Sequence, residues 1–106
     1  MSARDILTDN AEIKNSSFLY YLRNQSDFNI NAFKELYSAI RLLADDEVEI
    51  SRTAQQINYI YGEILKCILY HFDPDDEFRI NNLPGNYSKL IEYLDKSVDY
   101  YFQTRI

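Results

Sequence analysis

ISRTAQQINYIYGEILKCILYHF, residues 50–72, carries the clearest periodicity in the chain. Ile50, Ala54, Ile57, Tyr61, Ile64, Ile68 and His71 alternate spacings of four and three, which predicts one continuous helix. Ser51 is the expected N-cap. Pro74 disfavours helical geometry at Asp73 and sets the end near Phe72. From Ile57 onward a second face is apolar too: Ile60, Leu65, Cys67, Leu69 and Phe72. A helix apolar on most sides is expected to sit centrally, surrounded by others.

Working outward, Ile30, Phe33, Leu36, Tyr37, Ile40, Leu43 and Ala44 form a second helical stripe. Asn29 or Asn31 is its candidate cap, and its end falls near Asp45. Beyond the breaker Leu83-Pro84-Gly85-Asn86, a third stripe runs through Tyr87, Leu90, Ile91, Leu94, Val98, Tyr101 and Phe102. Ser88 is a candidate cap there. The first 25 residues read as one helix, with Asn15-Ser16-Ser17 a candidate break. The expected fold is all-α, an antiparallel four-helix bundle with a central third helix, forming one domain over residues 1–106.

Composition fits a single core: 46% of the chain is hydrophobic and 15% aromatic, with ten Tyr and no Trp. Two Gly and two Pro are too few for a many-stranded β fold. One cysteine, Cys67, excludes an internal disulfide framework and fits a reducing compartment. The amino-terminal residues lack an apolar signal core, and no apolar run approaches the ~20 residues a membrane helix needs. A soluble cytoplasmic protein that does not engage a membrane is therefore expected.

The chain carries 17 acids against 11 Lys and Arg, a net charge of −6. Residues 45–77 hold nine of those acids and only two bases, Arg52 and Lys66. Charge concentrated this way attracts cationic surfaces and repels nucleic acid. One cluster, Asp45-Asp46-Glu47-Val48-Glu49, precedes a helix start, where acids complement the helix dipole. The other, Asp73-Pro74-Asp75-Asp76-Glu77, follows a helix end, where they oppose it. A short helical turn from Pro74 to about Arg79 would give it a capping role. Four acids in five residues nevertheless exceed what a cap requires. The long helix between the clusters holds them about 30 Å apart. Asp73, Asp75, Asp76 and Glu77 are thus the leading contact residues, with Glu63 the one acid between the clusters.

Chemistry is sparsely provided for. Cys67 and His71 share a helix face, but both sit in an apolar run, so they read as structural rather than as a nucleophile pair. Phe78 and Pro84 stand where a calcium loop begun at Asp73 would need Gly and Glu, so no metal site is expected. Gly62 and Gly85 are the only glycines, which excludes a phosphate-binding loop. No catalytic residue and no cofactor is expected. The tyrosines are too many to bury in one bundle, and Tyr offers large contact area at low entropy cost. Tyr59 and Tyr70 are the expected exposed anchors on the long helix, and Tyr87, beside the Pro84-Gly85 turn, is a third candidate contact.

Gly62-Glu63-Ile64-Leu65, His71-Phe72-Asp73-Pro74-Asp75-Asp76, Asn86-Tyr87 and Leu90-Ile91-Glu92-Tyr93-Leu94 together resemble the colicin D-type immunity proteins. They also resemble the small helical immunity proteins of contact-dependent growth inhibition systems. The resemblance covers the second half of the chain, and the loop from Arg79 to Asn86 departs from it. It implies neutralisation of a nuclease toxin by acidic side chains covering its basic substrate groove, with Asp73, Asp75 and Asp76 as the residues carried over. The functional expectation is an acidic inhibitory protein, a monomer or weak dimer, whose partner is a cationic nuclease toxin. An inhibitor of a phage-defence or restriction nuclease, and an adaptor bundle in a larger complex, are the alternatives.

Overall fold

In the computed structural model, which describes residues 1–106, Ser2 starts the first helix, α1 (Ala3–Ala11), by accepting the Asp5 amide on its hydroxyl at 3.1 Å. The chain then turns through Ile13 and Ser16, both in the left-handed region. Ser17 caps α2 (Phe18–Gln25) in the same manner, accepting from the Tyr20 amide at 3.2 Å. The break is held by Asn10. Its buried side chain accepts the Leu19 amide at 3.1 Å and donates to the Ile6 carbonyl at 2.9 Å. The amino-terminal quarter is thus two helices, broken at Asn15-Ser16-Ser17, and the molecule has five helices rather than four.

Asn29 caps α3 (Ile30–Leu43), accepting from the Ala32 amide at 3.0 Å. The long helix α4 spans Ile50–Phe72. Its N-cap is Glu49, which lies in the left-handed region and makes no side-chain cap bond, while Ser51 sits inside the first turn. The last helix, α5 (Tyr87–Arg105), begins one residue before Ser88, and no side chain caps it.

The core forms where α3 meets α1 and α5, and where α4 leans on α1, α2 and α5. Phe18, Phe28 and Phe33 make a three-ring cluster with centroids 5.0, 5.1 and 5.2 Å apart. Ile57, Ile60, Ile64 and Cys67 of α4 pack into the same core as Leu36, Ile40, Leu94 and Tyr101. Contrary to its expected central position, α4 is covered along one side only. Tyr59, Leu69, Tyr70 and Phe72 are exposed, and Leu65 and Ile68 are half-buried.

Tyr61 links α4 to α5 by donating its hydroxyl to Asp95 Oδ1 at 2.6 Å. Desolvation, and then that carboxylate, push the phenol up from 10.0 to about 12. The neutral phenol is thereby favoured in the folded state. Its stabilisation is present below the unfolded value near 10 and lost as pH rises through about 12. Burial raises the Tyr101 phenol as well, so an ultraviolet titration should show late phenols of which one is lost in Tyr61→Phe and moves toward 10 in Asp95→Asn. Phe33→Ala should cost about 3–5 kcal/mol in urea unfolding, because its ring contacts both Phe18 and Phe28.

Candidate functional site

Pro74 stops α4, and Asp73 takes an extended conformation. The expected helical turn from Pro74 to Arg79 does not form. Two side-chain turns replace it: Asp73 accepts the Asp75 amide at 2.9 Å, and Asp76 accepts the Phe78 amide at 2.8 Å. Such Asp turns give the backbone an alternative to a helix. The Arg79 guanidinium folds back beneath them. It donates to the carbonyls of Tyr70, Asp73, Asp76 and Phe78 at 2.6–3.3 Å.

That geometry decides the charge of the loop. Arg79 is engaged with carbonyls, two of them at the open end of α4, rather than with carboxylates. Asp73, Asp75, Asp76 and Glu77 consequently take part in no ion pair, although Lys14, Lys66, Lys89 and Lys96 all do so elsewhere. Downstream, the loop is tied to the body. Ile80 is 4% exposed and lies in the core, and its amide donates to His71 Nδ1 at 2.8 Å. Asn81 donates to the Ser26 carbonyl at 2.8 Å, and Asn82 accepts the Phe28 amide at 2.7 Å.

The first acidic cluster has the opposite fate. Arg4 of α1 reaches Asp46 at 3.1 Å, Glu49 at 3.7 Å and the Thr53 hydroxyl at 3.0 Å. Arg105 of α5 pairs with Glu47 at 3.3 Å and donates to the Ala44 carbonyl. Arg52 adds a contact to Glu49 at 3.8 Å. The Val48 amide, followed by Arg4, lowers the Asp46 pKa below 3.8. These acids join the chain termini to the α3–α4 connection, a role larger than the dipole complement expected of them.

The remaining predicted contact residues fall on two faces. Tyr59, Glu63 and Tyr70 lie at helical spacing along one side of α4. Glu63, its side chain 16% exposed, pairs with Arg23 at 3.1 Å and Lys66 at 3.4 Å. That face therefore carries no free carboxylate. Tyr87 belongs with the acidic loop instead, since its ring packs on Phe72 at 5.3 Å and Phe72 immediately precedes Asp73. Phe72 also meets His71 edge-on at 4.8 Å. Cys67 is buried, and burial raises its thiol pKa, which disfavours the thiolate. His71 offers Nδ1 to a backbone amide.

Sequence reasoning missed Leu69 and Phe72, which are 69% and 54% exposed. Their signal was the second apolar face of α4, read there as buried. No protein-family model matches this chain, and neither a curated protein nor a solved structure is significantly similar to it. No helix is long and apolar enough to cross a membrane.

Asp46→Asn should lower the urea midpoint at neutral pH. Because the folded pKa is depressed, the stabilisation exists above the unfolded value of 3.8 and disappears as pH falls through the lower folded one. The variant should therefore lose less stability than the parent across that acid range. Asp75→Asn, which removes neither an ion pair nor a side-chain turn, should leave the unfolding free energy within about 0.5 kcal/mol of the parent.

Proposed function

We propose that this chain is an acidic inhibitory binding protein: a bacterial, cytoplasmic immunity protein that neutralises a cationic nuclease toxin by covering its basic groove. The observation that carries this reading is the contrast between the two clusters. Asp46, Glu47 and Glu49 are matched by arginines of the same chain, whereas Asp73, Asp75, Asp76 and Glu77 are matched by none. Carboxylates gathered at one end of the molecule without ion pairs suit a surface whose own cations await phosphates. Tyr87 lies beside the loop through Phe72 and would supply packed area, while the acids supply steering. A nuclease of phage defence or restriction would present the same basic groove and meet the same loop. The identity of neighbouring reading frames distinguishes these targets.

The test is to purify the partner from the native host and measure binding kinetics at two salt concentrations. Asp75→Asn/Glu77→Gln should slow association about tenfold at low salt and flatten its salt dependence, since steering of this kind accelerates encounter by 10–10³. Asp46→Asn/Glu47→Gln should leave association unchanged once its stability loss is allowed for. An acidic partner, or parental kinetics in Asp75→Asn/Glu77→Gln, refutes the reading.

A further inference from the structure

Beside the acidic loop runs an apolar groove. Its walls are Leu65, Ile68 and Leu69 of α4 and Tyr87, Ser88 and Ile91 of α5, around a volume of about 360 Å³. With Phe72, the α4 wall reads i, i+3, i+4, i+7, and the α5 wall adds Tyr87 and Ile91 at i, i+4. That spacing is the ridge pattern one helix offers to another. Here the third helix is missing, so Leu69 stands largely in solvent. Soluble proteins seldom leave a contiguous apolar face uncovered unless something docks there.

Charge selects the occupant. Phe72 closes the groove against Tyr87 at 5.3 Å, and the next residue begins the run of unpaired acids. The flanking cations are already engaged: Lys66 with Glu63 at 3.4 Å, and Lys89 with Glu92 at 3.9 Å. Along one continuous surface the groove therefore offers apolar walls and, at its end, free carboxylates.

We infer that this groove receives an amphipathic helix of a protein partner, its apolar face between α4 and α5 and its Lys or Arg residues against the loop from Asp73 to Glu77. Helix-in-groove docking of this kind uses anchors at i, i+3, i+4 and i+7. The inference rests on the proposed cationic partner and adds how that partner is held once steered.

The test titrates the intact protein, by nuclear magnetic resonance and fluorescence anisotropy, with three synthetic peptides. One is an amphipathic Leu/Lys helix, one has the same composition scrambled to destroy the apolar face, and one is a Leu/Glu helix of the same pattern. The Leu/Lys helix should bind best and shift the resonances of Leu65, Ile68, Leu69, Tyr87 and Ile91. Leu69→Gln and Ser88→Lys, both at exposed positions, should each weaken it at least tenfold, with folding checked by circular dichroism. Asp75→Asn/Glu77→Gln should reduce its salt dependence.

Equal binding of the scrambled peptide, or indifference to Leu69→Gln and Ser88→Lys, overturns the groove and leaves the acidic-loop reading standing. Sensitivity to those two variants without any response to Asp75→Asn/Glu77→Gln keeps the groove and overturns its cationic occupant and the loop reading together. Concentration-dependent dimerisation abolished by Leu69→Gln assigns the groove to a second copy. Partition onto phosphatidylcholine vesicles abolished by Leu69→Gln assigns it to a membrane. Either result overturns the inference.

Discussion

The hydrogen bond from the Ile80 amide to His71 Nδ1, together with the burial of the Ile80 side chain, anchors the acidic loop against the end of α4. Burying an Ile side chain contributes about 1.5–3 kcal/mol, and the hydrogen bond about 1 kcal/mol more. Against this stands the mutual repulsion of the acids. Two unit charges about 7 Å apart in water repel by about 0.6 kcal/mol, and with four acids the summed repulsion is of the same order as the anchor. The Arg79 guanidinium lying beneath the loop offsets part of it without forming an ion pair. The Ile80 hydrogen bond engages His71, whose ring nitrogen serves as a fixed acceptor for a backbone amide.

Two clusters of similar composition thus differ because of what the fold brings to them. Arg4 lies 42 residues from Asp46 in sequence and Arg105 lies 58 from Glu47, yet both reach across the junction of α1, α3, α4 and α5. Glu49, in the left-handed region, carries a strain of about 1 kcal/mol that its contacts with Arg4 and Arg52 help to offset. Arg79 is the nearest cation to the second cluster in sequence. It is drawn instead to carbonyls left open at the end of α4, because a helix terminus presents unsatisfied acceptors that a guanidinium can bind in parallel.

This contrast marks how far the sequence could be read. The stripes of α3, α4 and α5 placed those helices, because burial on one side imposes a 3.6-residue period whatever the partner. Asn29 was legible as a cap since its side chain acts within three residues. Ser51 was not the cap of α4, because the chain enters that helix through a left-handed Glu49, a backbone path set by contacts 40 and more residues away. The break after α1 was visible as Asn15-Ser16-Ser17, but the residue that secures it, Asn10, looked like any polar position on a weak helix. Of the candidate site, the acids and Tyr87 were legible as a composition. That they are unpaired, and that Glu63 is paired twice, depends on distant cations.

The misplacement of α4 follows from the same limit. Periodicity reports which faces of a helix are apolar and is silent on what covers them. In α4, the face of Ile57, Ile60, Ile64 and Cys67 is covered by this chain, while that of Leu65, Ile68, Leu69 and Phe72 is left open beside α5. A chain with a strong net charge keeps such a face in solution without closing it, because like molecules repel at long range while an oppositely charged one is drawn in. Steering decays within about 10 Å at moderate salt and contributes mainly to the rate of encounter. Retention must then come from apolar area removed from water, which salt does not screen. Free carboxylates that end where an uncovered apolar groove begins join these two requirements on one surface, and neither feature alone would meet both.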